Sequence, residues 1–141
     1  MKRILIDTNV VLDFLFEEEP YYGNAKNIMT EISNGNVQGY ITASMATDIF
    51  YLLQKKNGKT FALNALGNLL LVLDVLTVYR DDVFDALHSG WADFEDALQA
   101  HVAERNGVDA IVTRNVKDFK KAKNLDVVFP QNCINYLNIS R

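Results

Sequence analysis

Asp7, Asp48, Asp93, Asp96 and Asp118 are the side chains in this sequence whose type and surroundings could support chemistry. Asp7 ends the run Arg3-Ile4-Leu5-Ile6, a short apolar stretch that stops at once in the polar trio Asp7-Thr8-Asn9. A central parallel strand delivers a polar group to the rim of its sheet in this way, and open α/β sheets bind ligands at that rim. Asp48 interrupts an otherwise apolar helical stripe, Ala46, Ile49, Phe50 and Leu53. Aspartate has poor helix propensity, and burying it unpaired is costly or forces its protonation. A cation shared with Asp7 would relieve that cost; a solvent-facing place at the edge of the stripe is the plainer account.

Asp93 and Asp96 open the sequence's best helix. At 100° per residue they lie about 60° apart the short way, in one sector with Ala100 and Ala103, so small residues let that face approach a sheet closely. Glu95 points elsewhere on the same turn and is expected to be solvated. An N-cap role for Asp93 and a helix-dipole role for Asp96 are the bland alternatives.

These donors are hard oxygens. His88 and His101 stand alone, and Cys133 is the one cysteine, so an internal disulfide and a cysteine-rich zinc site are excluded and the donors point to Mg²⁺ or Mn²⁺ rather than zinc. Aspartates around such an ion can orient and deprotonate a water and hold a phosphodiester against it. Thr113 could hydrogen-bond a ligating carboxylate, and Asn9 is expected to tie the turn together through its amide. Arg114, Lys117, Lys120, Lys121 and Lys123 form a local basic run that could meet phosphates, and Lys55, Lys56 and Lys59 form a second. Tyr21, Tyr22, Tyr51 and Trp91 could stack on bases, although core or interface packing is the first expectation for each.

The elements needed to position these groups follow from pattern. Strands are expected at the N-terminus, at Val37–Ile41, Leu71–Val78, Asp109–Thr113 and Leu125–Phe129. Helices are expected beyond Pro20, after a cap at Thr42 or Ser44, from Thr60 to Leu70, from Arg80 to His88, from Asp93 to a stop at Asn106-Gly107, and briefly after Pro130. Repeated alternation with helical crossovers implies a mostly parallel sheet covered on both faces, with Asp7, Thr113 and Asn115 at strand ends.

Length and composition fit this reading. A chain of 141 residues with 49% hydrophobic and 23% charged residues suits one globular domain over 1–141. No apolar run approaches a membrane span and no signal-peptide pattern precedes Asp7, so a cytoplasmic location is the expectation. The net charge of -4 removes any global basic footprint for nucleic acid. Acids gathered around a cation nevertheless enter that count while the cation does not.

The blocks ILIDTNVVLD, ITASMATDIFYLL, DFEDALQAHVAERNGVDAIVTRNVKDF and VVFP together resemble the PIN-domain family, and in particular the VapC-like ribonuclease toxins of bacterial toxin–antitoxin pairs. The resemblance spans nearly the whole chain. It implies a Rossmann-like three-layer α/β sandwich with strand order 3-2-1-4-5 and an acidic pocket for Mg²⁺ or Mn²⁺. The family's acids fall on Asp7, Asp48 and Asp96, with Asp93 accessory and Asn9 beside the first. Asn115 and Asp118 compete for the fourth position. Arg114 and Lys117 are the nearest candidates for holding substrate. The resemblance further implies RNA as substrate, a small antitoxin protein as partner, and a homodimer.

The leading expectation is therefore an endoribonuclease that hydrolyses RNA phosphodiester bonds with a cation-activated water. A catalytically weak RNA- or partner-binding domain is the second. Phosphoryl transfer through an aspartyl nucleophile is the third; its usual second aspartate, two residues after the first, is Asn9 here.

Overall fold

Arg3–Ile6 (β1) is the middle strand of a five-stranded sheet in the computed structural model, which describes residues 1–139. Gln38–Thr42 (β2) and Asp74–Leu76 (β3) lie on one side of it, and Ala110–Val112 (β4) and Asp126–Val128 (β5) on the other, giving the order β3-β2-β1-β4-β5. Every neighbouring pair is parallel. Ile4, Leu5 and Ile6 are all fully buried, and successive strand side chains alternate between faces, so helices must cover both sides. The result is the expected three-layer α/β sandwich.

The covering helices are Thr8–Leu15 (α1), Tyr22–Ser33 (α2), Ala43–Asn57 (α3), Lys59–Leu69 (α4), Arg80–Leu87 (α5), Phe94–Arg105 (α6) and the short Cys133–Leu137 (α7). Single 3₁₀ turns occupy Val116–Phe119 and Pro130–Asn132. Among the described residues no helix is long and apolar enough to cross a membrane.

Strand β1 passes into α1 with no loop between them. Asp7 keeps extended backbone angles while its carboxylate accepts the Thr8 N–H, so one residue ends the strand and caps the helix. Thr42 does the same at the end of β2, its hydroxyl accepting the Met45 N–H at 3.2 Å. Both caps stand at the C-terminal rim of the sheet, and helices α1 and α3 leave from the same edge.

The expected strand at Leu71–Val78 shrinks to Asp74–Leu76. Its ladder with β2 ends at the pair Thr42–Leu76, because β2 turns into α3 there and offers nothing further to pair with. At its other end Leu71 belongs to the turn after α4 and is 84% exposed. Gly39 in β2 marks the tightest packing: a Cβ there would lie 2.5 Å from Ile32 Cδ1 and 2.7 Å from Leu73 Cδ2.

Helix α6 is set against the sheet by its small face, since Ala97, Ala100 and Ala103 are all fully buried. Its far end is anchored by Arg105, whose Nε and Nη2 donate to the buried Asp82 carboxylate at 2.8 and 2.9 Å and whose Nη2 also reaches the Thr77 carbonyl. Asn106 follows as the C-cap, and Gly107 takes the left-handed conformation (φ 66°) that glycine accepts without strain. These contacts hold the first turn of α6 at the same rim as Asp7.

Candidate active site

Asp7 sits at the centre of a fixed hydrogen-bond set. Its backbone N–H bonds the Val112 carbonyl at 3.0 Å, which extends the β1–β4 ladder and brings it beside Thr113. The Thr113 hydroxyl, fully buried, donates to Asp7 Oδ2 at 2.7 Å and accepts the Asn115 N–H at 3.0 Å. Asn9 Nδ2 donates to the same Oδ2 at 3.2 Å, and the Thr8 N–H to Oδ1 at 2.8 Å. Asn9 thus ties the turn as its amide was expected to, and Thr113 orients the carboxylate. Each carboxylate oxygen can accept two hydrogen bonds, so Oδ1 retains a free lone pair.

Asp7 lines a cavity of about 460 Å³. Four carboxylates line it: Asp7 from the end of β1, Asp48 from α3, and Glu95 and Asp96 from the first turn of α6. The amides of Asn9, Gln99 and Asn115 and the ring of Tyr51 complete the polar wall. None of these described lining residues is basic.

Such crowding shows in the titration of the acids. Burial pushes the Asp96 carboxyl up to about 7, helped by the charges of Asp93, Asp7, Asp118 and Glu95. Glu95 is raised first by the charge of Asp48, then by burial and by Asp93 and Asp7. Burial also raises Asp7, against the hydrogen bonds from Thr113, Thr8 and Asn9. Repelling carboxylates in a partly desolvated pocket favour either protonation or a cation.

The donor set suits a hard cation. Beyond the carboxylates, Asn9 Oδ1 and Gln99 Oε1 are buried and have no hydrogen-bond partner among the described residues, although both residues line the cavity. Buried polar atoms are nearly always satisfied, and these two oxygens are suitable acceptors for the water shell of an ion. Among the described residues, however, no three acidic, histidine or cysteine side chains stand close enough together to hold a metal as they are. The expectation that several acids would chelate one ion is therefore replaced by a looser arrangement. Mg²⁺ commonly binds through one or two carboxylates and keeps several waters, so this set remains compatible with it.

The other expected site residues lie elsewhere. Asp93 is exposed and spends its Oδ1 on the Asp96 N–H at 2.9 Å, which is the N-cap role. Asp118 is exposed on the 3₁₀ turn, outside the cavity lining, although its charge still reaches Asp96. Lys117 is exposed on the same turn. Arg114 is committed to a half-buried ion pair with Asp13 at 2.9 Å and lies over the Tyr21 ring at 3.9 Å. Tyr22 and Trp91 pack on Phe14 and Phe119, as the core expectation had it, whereas Tyr51 is 61% exposed at the cavity. His88 and His101 bond carbonyls of their own helices.

Glu95 and Gln99 were not singled out from the sequence as cavity residues. Glu95 is exposed, as anticipated, but on the cavity side. Helical spacing carries the missing signal: Gln99 is three residues after Asp96 and four after Glu95, so the three share a face. Tyr51 is likewise three residues after Asp48.

The family model described as PIN domain matches residues 3–117. The chain belongs to the PIN-domain family. All four cavity acids of this PIN domain fall within the matched residues, and Asp118 lies just beyond them. Its fold resembles VapBC from Salmonella typhimurium bound to DNA, with 16% identity, a TM-score of 0.69, and coverage of 92% of this chain and 99% of that one. It also resembles VapBC2 from Rickettsia felis bound to a promoter DNA fragment (19% identity, TM-score 0.65, 89% and 96% covered). A third similar structure is the sarcin–ricin loop cleaving toxin VapC20 of Mycobacterium tuberculosis (16% identity, TM-score 0.67, 86% and 97% covered). At these identities the likeness establishes a common fold. Comparison with curated proteins finds no match.

Proposed function

We propose that this PIN domain is a divalent-cation-dependent endoribonuclease of the VapC-like kind, acting at the cavity formed by Asp7, Asp48, Glu95 and Asp96. The observation that carries the reading is the meeting of these acids, from three separate elements, with two buried oxygens beside them that have no partner among the described residues. Bound Mg²⁺ or Mn²⁺ would supply offsetting charge for the phosphodiester and a lowered pKa for water. One or two carboxylates among Asp7, Asp48 and Asp96 would hold it directly and water would complete its shell, with Asn9 and Gln99 accepting hydrogen bonds from those waters.

The chain's own groups then have distinct tasks. Thr113, Thr8 and Asn9 hold the Asp7 carboxylate in one orientation at the cavity wall. Asp96 faces the same cavity from the first turn of α6, and as a carboxylate it can take the proton of an attacking water. Tyr51 offers an exposed ring at the mouth, where an unpaired base could stack. A small antitoxin protein as inhibitor, and association into a homodimer, are part of the same proposal. They rest on the resemblance to toxin–antitoxin assemblies.

A second reading has its own support. Asn115 stands where an additional acid would strengthen the site, and among the described residues no three acids are placed to chelate an ion. Both facts favour a domain that binds RNA or a partner and turns over weakly. Cleavage of labelled RNA by purified wild type and Asp7→Asn, in Mg²⁺ and in Mn²⁺, separates the two. The nuclease reading expects loss of cleavage by at least about a hundredfold in a variant that stays folded and melts near or above the wild-type temperature. Equal cleavage by the two proteins rules out the proposed chemistry, and tight Asp7-dependent Mn²⁺ binding without turnover selects the second reading.

A further inference from the structure

A smaller cleft of about 220 Å³ adjoins the acid cavity and shares Asn115 with it. Tyr21 and Asn24 line it together with Arg114, which lies over the Tyr21 ring, and Phe129 and Gln131 line it from the segment just after β5. Against the roughly 30 Å³ that a water occupies in the liquid, this is room for one ring system. It is too small for a length of helix.

Three features of this cleft point to the same kind of ligand. Its aromatic groups are uncovered: Tyr21 is 40% exposed and Phe129 38%. Its guanidinium is held as a fixed plane, because the buried Asp13 binds Arg114 Nε and Nη2 while the Tyr21 ring supports the group at 3.9 Å. Arg114 keeps the hydrogens of Nη1 for another acceptor. Its amides are uncommitted, since among the described residues the side chains of Asn24, Asn115 and Gln131 make no hydrogen bond. Flat faces beside amides that both donate and accept are what recognise the edge and face of an unpaired nucleobase.

Charge points the same way. With Asp13 offsetting Arg114 and a net charge of -4, the chain has little to attract a phosphate backbone at long range. A strand entering the acid cavity would need to be positioned by its bases. Asn115 belongs to both walls, so the cleft opens directly beside the acid cavity.

We infer that the cleft formed by Tyr21, Asn24, Arg114, Asn115, Phe129 and Gln131 binds one unpaired nucleobase of the RNA, that of a nucleotide flanking the phosphodiester in the acid cavity. The inference rests on the ribonuclease reading for its substrate class. Its test does not depend on cleavage.

The whole chain, labelled with ¹⁵N and kept free of metal, is titrated separately with AMP, GMP, CMP, UMP and ribose 5-phosphate. At least one nucleotide is expected to shift the side-chain amide signals of Asn24, Asn115 and Gln131, whereas ribose 5-phosphate leaves them in place. Phe129→Leu keeps an apolar side chain and removes the aromatic face, and it is expected to weaken that nucleotide by about tenfold with the backbone spectrum otherwise retained. Tyr21→Leu provides the same test at the other aromatic ring of the cleft. Unmoved amides with all four nucleotides overturn the inference. Equal shifts with ribose 5-phosphate overturn it too, as does undiminished affinity in both variants. Nucleotide binding in a chain that cleaves no RNA leaves the cleft assigned and removes the nuclease reading; cleavage with an empty cleft does the reverse.

Discussion

Thr113 and Asp7 are 106 residues apart in sequence and are joined by a buried 2.7 Å hydrogen bond, hydroxyl to carboxylate. This contact links the ends of two adjacent strands and fixes which way the first acid of the cavity faces. The same hydroxyl accepts the Asn115 N–H, so it also sets the start of the chain segment that divides cavity from cleft.

Replacing Thr113 with valine conserves shape but removes both bonds. A buried carboxylate oxygen loses its shortest partner and the Asn115 N–H loses its acceptor, at a cost of about 1–3 kcal/mol. Urea unfolding of Thr113→Val should show that loss and Thr113→Ser should recover most of it. RNA cleavage is expected to fall in the valine variant and to return with serine.

The pH dependence of stability follows from Asp96. Its folded carboxyl titrates at about 7 against an ordinary 3.8, so between those values the folded chain holds a proton that the unfolded chain has released. The stabilising contribution is complete below about 3.8 and is lost as pH rises through about 7. Raised Asp7 and Glu95 act in the same direction. The melting temperature of the metal-free protein should therefore decline from pH 5 to pH 8, and Asp96→Asn should flatten the decline. An unchanged slope in that variant would assign the effect to other groups. Asp82 runs the opposite way. Burial pulls its carboxyl upward, yet the Arg105 hydrogen bonds, the Tyr79 N–H and the Arg105 charge hold it below the ordinary range, so its contribution is lost only in stronger acid.

Gln99 separates cation binding from folding. Its Oε1 is buried without a partner among the described residues, an arrangement that costs stability in the metal-free protein and gains a use when a hydrated ion is bound. Gln99→Met should leave the metal-free melting temperature unchanged or higher. By calorimetric titration it should weaken Mn²⁺ binding by about tenfold to a hundredfold. Full Mn²⁺ affinity in the variant would mean that the amide has no part in the ion's surroundings.

Gly39 tests the packing of the sheet against its helices. A methyl group there would overlap Ile32 and Leu73, both buried, and Gly39→Ala should cost about 1–3 kcal/mol. Trimming the neighbour in the double variant Gly39→Ala/Ile32→Val should cost less than the sum of the two single changes. Additivity in that cycle would mean that the methyl is accommodated elsewhere.

Much of the fold is legible in the chain because it depends on neighbours a few residues apart. Apolar runs ending in Asp7 and Thr113, the alanine face of α6, the cap at Thr42 and the stop at Asn106-Gly107 each act within one or two turns of backbone. Alternation of those pieces implies a parallel sheet with its ligand rim at Asp7. The strand order itself came from resemblance, since alternation alone leaves it open.

The fate of each acid was decided only in three dimensions. Asp13 pairs with Arg114, Asp82 with Arg105, and Asp93 caps its own helix, while among the described residues Asp7, Asp48 and Asp96 form no salt bridge and are joined by Glu95. Sequence presents all of these as similar carboxylates, because a side chain's partner depends on strand register and helix rotation summed over many residues. The β1–β4 register, Ile6 opposite Val112, puts Thr113 at Asp7, and the lie of α6 against the sheet turns Gln99 into the same cavity. Local chemistry supplied the charges; long-range packing decided which were neutralised and which were left to act.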